Sequence, residues 1–142
     1  MSASSCPFCS YAAGQFRREL IVYENQQVLV MPSLHQTRGN RGHCLVVARA
    51  HVPNIYELPD GGGGPLLAAV SAAATASKRA FAADGISLRQ NNDPAGGQTV
   101  FHLHFHIVPR FLGDDFELAP YETVDEAALT EQAEALRPAW PT

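Results

Sequence analysis

Three histidines, His102, His104 and His106, alternate with Leu103, Phe105 and Ile107 within the stretch from Gln98 to Arg110. Successive side chains of a β-strand point to opposite faces, so this spacing sets three imidazoles on one face and three apolar groups on the other. The apolar face can seat the strand in a core, which leaves the imidazole row lining a cleft. A lone strand histidine is most often a satisfied polar residue. Three in strict alternation each need a partner or solvent, and ordinary core packing rarely supplies that. Near pH 7 a neutral imidazole can act as nucleophile, general base or metal ligand. Residues two apart on a strand are roughly 6.6 Å apart, so His102 and His106 are separated by about 13 Å and one ion does not collect all three. The row divides its work.

Other reactive groups lie far from it in sequence. Cys6-Pro7-Phe8-Cys9 forms a CxxC turn, which alone is a weak zinc signal. Cys44 sits among Leu45, Val46 and Val47 and reads as a small buried hydrophobe. Three cysteines, with neither a charged nor an apolar leader region in Met1 to Ser10, point to a reducing, cytoplasmic setting.

The elements that must position these groups follow from patterning. The 142 residues read as one domain, 1–142, with a C-terminal helix from about residue 123 as an extension. A hydrophobic fraction of 46% with 17% charged residues is a globular composition. The net charge of −4 argues against broad nucleic-acid binding while leaving room for a small anionic substrate. No apolar run approaches a membrane span. Residues 19–23 and 27–31 read as strands joined by a turn, 32–42 as irregular, and 43–48 as a central strand buried on both faces. Gly61 to Gly64 is a flexible break before a helix opened by Pro65. Leu67, Val70, Ala74 and Phe81 recur there at helical spacing, and Gly85 is the expected stop. Residues 86–90 return as a strand, and 91–97 form a turn rich in Asn, Asp, Pro and Gly. Thr123-Val124-Asp125-Glu126 reads as a capping box for a second helix to about Arg137. The fold class is α+β: a mainly antiparallel sheet of about five strands, one long helix and a C-terminal helix.

His102-Leu103-His104-Phe105-His106-Ile107-Val108 resembles the His-φ-His-φ-His-φ-φ signature of the histidine triad (HIT) superfamily. Cys6-x-x-Cys9, Gly42-His43-Cys44-Leu45-Val46-Val47 and Gly96-Gly97-Gln98-Thr99 are similar to its other motifs, in the same order. The resemblance implies a nucleotide hydrolase or nucleotidyl transferase acting at an α-phosphate through a covalent nucleotidyl-histidine. The middle histidine, His104, takes the nucleophile's place, its other ring nitrogen held by a backbone carbonyl. His106 and His43 match the residues that contact phosphate oxygens. Gln98 and Thr99 match the positions at the bridging or leaving group, and Asn91 matches the family's asparagine at the head of that loop. In members that retain CxxC, a zinc site adds a histidine after the middle strand and the first of the triad. Here these are His51 and His102, completing a Cys2His2 set with Cys6 and Cys9, of the closed structural kind; the competing expectation is that His102 only hydrogen-bonds within the site, as in zinc-free members. The resemblance also implies a homodimer, and leaves room for magnesium on a polyphosphate substrate.

The pattern departs in one place. Most members hold the ribose hydroxyls with an Asp or Asn after the second strand, where this chain has Ser33, with His35 nearby, and a longer loop to His43. Pro109 to Asp114 resembles the dinucleoside-polyphosphate hydrolase branch, whereas Trp140-Pro141 resembles the ending of the adenosine phosphoramidase branch. Dinucleoside polyphosphates are the expected substrates. A phosphoramidase, a dinucleoside polyphosphate phosphorylase, a nucleotide-binding sensor module and a metal-handling protein are the alternatives.

Overall fold

A computed structural model describes residues 5–142 of the chain. In chain order the helices are α1 (Pro7–Ala12), α2 (Gly63–Ala80) and α3 (Glu126–Ala139). The strands are β1 (Tyr23–Glu24), β2 (Val28–Pro32), β3 (His35–Thr37), β4 (Cys44–Ala48), β5 (Gly85–Arg89), β6 (His104–Arg110) and β7 (Tyr121–Thr123). Five strands form one sheet in the order β1-β2-β4-β6-β5, all pairs antiparallel, and β3 pairs with β7 in a separate ribbon. Among the described residues no helix is long and apolar enough to cross a membrane.

Period-two patterning sorts the sheet into two faces. Val28, Val30, Cys44, Val46, Leu103 and Ile107 pack on Leu66, Ala69, Val70, Ala73 and Ala76 of α2, whose small side chains let the helix lie close to the sheet. Leu29, Met31, Leu45 and Val47 point the other way, against Cys6 and against Phe8 and Tyr11 of α1. Strand β4 is buried along its whole length, as its near-continuous apolar run requires. The triad strand thus turns Leu103, Phe105 and Ile107 toward the α2 core and its histidines toward the α1 side.

The structure corrects several sequence expectations. The buried stripe of α2 runs Leu66, Ala69, Val70, Ala73, Ala76 and Ser77, leaving Leu67 61% exposed. Alanines carry too little hydrophobicity to mark a stripe in a sequence, so the larger Leu67 misleads. Gly63 and Gly64 belong to the helix, which ends at Ala80 with Phe81 as its C-cap; Ala82 turns the chain with φ 51, and Gly85 opens β5. Residues 18–20 form a 3-10 turn, so the first strand shortens to Tyr23–Glu24. The stretch 32–42 contains β3, whose partner β7 is remote in sequence and therefore invisible to local patterning. Thr123 lies in β7 and does not cap α3. Asp125 does, its carboxylate accepting from the Ala128 amide at 2.8 Å.

Helix α3 ties the two sheets together. Leu136 enters the main core, while Leu129 and Ala133 pack with Leu20 and Val124. Gln132 and Gln36 exchange carboxamide hydrogen bonds in the interior. Gln36 also donates to the His43 carbonyl at 3.2 Å and accepts from the Gly42 amide at 3.0 Å, which fixes the entry to β4. Gly42 has φ 106, and a Cβ there would lie 2.4 Å from the Phe81 ring, so the position needs glycine.

Candidate active site and metal centre

His104 stands at the start of β6, opposite Val47 of β4, with only 8% of its surface exposed. Its Nδ1 lies 2.6 Å from the carbonyl oxygen of His102. A carbonyl only accepts, so Nδ1 carries the proton and donates, leaving a lone pair on Nε2. Burial lowers the pKa of His104, partly opposed by that hydrogen bond. The ring is thus held neutral with a nucleophilic nitrogen. Phe8 meets it edge-on at 5.0 Å between centroids and fixes its orientation from the α1 side.

His106, two residues on, lies beside His104 with ring centroids 5.0 Å apart, and its Nδ1 is 2.9 Å from Nε2 of His43. Both are desolvated, and neighbouring imidazoles and Arg89 disfavour further positive charge. The pKa of His43 falls to about 3 and that of His106 to about 4. His43 Nδ1 is buried without a protein hydrogen-bond partner. An orphaned N–H is the costlier alternative there, so the His43 proton belongs on Nε2, which donates to His106 Nδ1. That leaves the His106 proton on Nε2, available to an oxyanion. Two imidazoles form a neutral donor pair beside His104.

Two cavities meet at these rings. One, of about 360 Å³, is lined by His43, His106, Thr99, Asn91, Gly97, Arg89 and Phe116 among others. The other, of about 220 Å³, is more apolar and lies between Phe8, Tyr11, Pro32, Leu34 and Leu45, with Ser33 and His104 in its wall. Thr99, His106 and Tyr121 border both. A polar chamber and an apolar chamber sharing a histidine wall can hold a ligand with one charged and one flat, apolar part.

Behind His104 four metal-binding side chains converge. The ligand atoms of Cys6, Cys9, His51 and His102 all lie within 4.8 Å of one another. His102 Nε2 donates to the Ala48 carbonyl at 2.5 Å, which turns Nδ1 toward the cluster. Nδ1 lies 3.3 Å from Cys6 Sγ, 3.6 Å from Cys9 Sγ and 3.2 Å from His51 Nδ1, and the Cys9–His51 separation is 3.2 Å. Tetrahedral zinc with Zn–S near 2.3 Å and Zn–N near 2.05 Å has S–N edges of about 3.6 Å and an N–N edge of about 3.3 Å. The donor set fits such an ion. Burial and the adjacent Cys6 thiol hold the Cys9 pKa at about 11, so an ion would have to draw off that proton. His102 precedes β6; hydrogen bonds linking Leu103 to Ala48 and Val52 keep the alternation going across that boundary.

The structure brings His43, His106, Thr99 and Asn91 to one chamber and Ser33 to the wall of the other. Ser33 Oγ donates to the His35 carbonyl at 2.8 Å, and the exposed His35 ring stacks on Tyr121 at 5.9 Å. Gln98 differs. Its carboxamide donates to the carbonyls of Pro53 and Val100 and accepts from the Asp93 amide, so it braces the loop that carries Thr99. Sequence reasoning missed Phe8, Tyr121 and Arg89 as site walls. Phe8 lay in view inside the CxxC turn, whereas Tyr121 and Arg89 reach the site only through strand pairing.

A family model described as "HIT domain" matches residues 17–113. A curated relative, "Protein hit" of Bacillus subtilis (strain 168), is 36% identical over 115 residues, spanning 80% of this chain and 77% of that protein. Two solved structures are similar over nearly the whole length. A HIT-like protein from Bartonella henselae, described as involved in cell-cycle regulation, aligns with a TM-score of 0.87 and 32% identity over 96% of both chains. A zinc-bound histidine triad family protein from Mycobacterium smegmatis aligns with a TM-score of 0.82 and 29% identity, over 97% of this chain and 94% of that one.

Proposed function

Because this chain belongs to the HIT domain family, we propose that it is a nucleotide hydrolase that works at an α-phosphorus through a covalent nucleotidyl-His104, with dinucleoside polyphosphates as substrates. The observation that supports this reading is the His104 hydrogen bond to the His102 carbonyl, which leaves Nε2 unprotonated on a ring that lines the apolar chamber beside His106. The nucleoside sits in the apolar chamber between Phe8 and Leu34, and the phosphates extend into the polar one. Nε2 forms a bond to the α-phosphorus as the bond to the leaving oxygen breaks, and that oxygen departs with the electron pair. His106 Nε2–H and the Thr99 hydroxyl donate to the oxygens that gain charge. The chemistry is positioning plus charge stabilisation by donors already in place. Water then attacks phosphorus, the phosphorus–nitrogen bond breaks with its electron pair returning to Nε2 to restore the imidazole, and the proton lost by the water is released to solvent.

Zinc on Cys6, Cys9, His51 and His102 belongs to the same reading, supported by the donor spacing and by the zinc in the Mycobacterium smegmatis protein. Its contribution is structural: it pins α1, and so Phe8, against the triad. A homodimer, detectable by light scattering, completes the proposal.

The test is turnover of a dinucleoside tetraphosphate beside an adenosine phosphoramidate, each with and without inorganic phosphate, for wild type and His104→Ala. Wild type should release a mononucleotide from the tetraphosphate, and the variant should lose activity by at least about 10³-fold while still binding AMP. Preference for the phosphoramidate, or phosphate-dependent cleavage, would reassign the leaving group or the acceptor. Undiminished turnover by the variant would remove His104 as nucleophile, and failure to trap an adduct on it with a slow analogue would count equally against it.

A further inference from the structure

One charged group in the site has no role in the chemistry above. Arg89 ends β5, and its register partner across the ladder is His106. Directly opposed residues of an antiparallel pair project from the same face, so the guanidinium rises beside the imidazole that serves the phosphate oxygens. Arg89 lines the polar chamber with His43, His106, Thr99 and Asn91. Among the described residues bordering either chamber it is the only lysine or arginine. Without it, the charge on phosphates beyond the one under attack would meet no fixed cation there.

Arg89 is placed to supply that compensation. Phe116 receives its guanidinium at 5.4 Å and that of Arg110 at 4.5 Å from the opposite strand. The two cations differ in availability. Arg110 makes two hydrogen bonds to the Asp114 carboxylate and a third to Ser87. Arg89 has a single 3.3 Å contact with Glu117, whose side chain is 74% exposed. An exposed pair of this kind is weak and readily exchanged for a better anion. A phosphate offers the planar guanidinium a matching pair of oxygens.

We propose that Arg89 is a specificity-determining residue that binds the phosphate next to the scissile one, so that the substrates are nucleotides with at least two consecutive phosphates and the leaving group is itself phosphorylated. This rests on the His104 reading and deepens it. As the Nε2–phosphorus bond forms and the phosphorus–oxygen bond breaks, the electron pair stays on the departing phosphate, and Arg89 meets the charge that accumulates there. Glu117 guards the position in the free protein and yields it to substrate.

The experiment is calorimetric titration of wild type, Arg89→Gln, Arg89→Lys and Glu117→Gln with AMP and with ADP, at low salt. Wild type should bind ADP at least about tenfold more tightly than AMP, the size of one charge-assisted hydrogen bond. Arg89→Gln should shrink that ratio to within about threefold, Arg89→Lys should keep part of it, and Glu117→Gln should widen it. A guanidinium acting only as a brace for Phe116 would weaken both ligands together and leave the ratio intact. In turnover, Arg89→Gln should lower kcat/KM for a dinucleoside tetraphosphate at least about tenfold more than for an adenosine phosphoramidate. Equal affinity of wild type for AMP and ADP, or an unchanged ratio in Arg89→Gln, overturns the proposal. Failure of the nucleophile reading looks different: His104→Ala keeps its turnover, whatever the ADP-to-AMP ratio. If neither nucleotide binds wild type, both readings fall.

Discussion

Removing the ion expected at Cys6, Cys9, His51 and His102 should destabilise the protein far more than removing a surface contact. The four donors come from three separate parts of the chain. Cys9 and His51 are 42 residues apart, and His51 and His102 are 51 apart. A link that closes a loop of about 40 residues removes roughly 4 kcal/mol of chain entropy from the unfolded state. Counting one loop and treating the second as surplus, because the unfolded chain keeps some structure, sets the expected loss at about 4 kcal/mol. For a chain of this length each kcal/mol shifts the melting temperature by about 3 °C, so chelation should lower Tm by about 12 °C. The assay is thermal unfolding of protein with elementally determined zinc, before chelation, after it, and after zinc is restored. Cys9→Ser should melt near the chelated wild type and ignore added zinc. Because Phe8 contacts both His102 and His104, the stripped protein should also bind AMP more weakly. A Tm that moves by less than about 2 °C on chelation would refute the reasoning, since even half of one loop's entropy exceeds that. So would a wild-type protein purified with less than half an equivalent of zinc that gains no stability from adding it.

Two further outcomes follow from the geometry. His43 and His106 have folded pKa values near 3 and 4, below the unfolded value near 6.5, so the unfolded chain binds more protons below that pH. Their stability contribution is fully present above pH 6.5 and fades as pH falls toward 4, by up to about 1.4 kcal/mol per unit for each histidine. Urea unfolding at pH 7 and pH 5 reads this directly, and equal stabilities at the two values would contradict it. Gly42→Ala puts a Cβ into the Phe81 ring at a backbone angle that disfavours side chains, and should cost about 2–4 kcal/mol in urea unfolding. Adding Phe81→Ala should cost less in that background than in wild type, and strict additivity would show that the clash is not the cause.

Much of the site was written in local patterns. Alternation at His102 to Ile107 placed imidazoles and apolar groups on opposite faces, and the two core clusters divide the sheet accordingly. The apolar run at Cys44 to Ala48 foretold a strand buried on both sides. The long helix was visible at Pro65 in its first turn, although its two leading glycines and its alanine stripe were not. The β3–β7 ribbon was hidden, because neither short, polar strand forms without a partner supplied by the opposite end of the chain.

The sequence by itself determined which residues could do chemistry, because residue type and spacing are local: three imidazoles on one strand face, a cysteine pair in one turn, a hydroxyl in a glycine-rich loop. Only the tertiary structure decided what each would do. The Ala48 carbonyl turns His102 toward the cysteines, and the His102 carbonyl frees Nε2 of His104. Strand register sets Arg89 beside His106, while the backbone of the same loop absorbs the side chain of Gln98. Tautomer, desolvation and charge are properties of a neighbourhood, and distant segments enter that neighbourhood only when the chain folds.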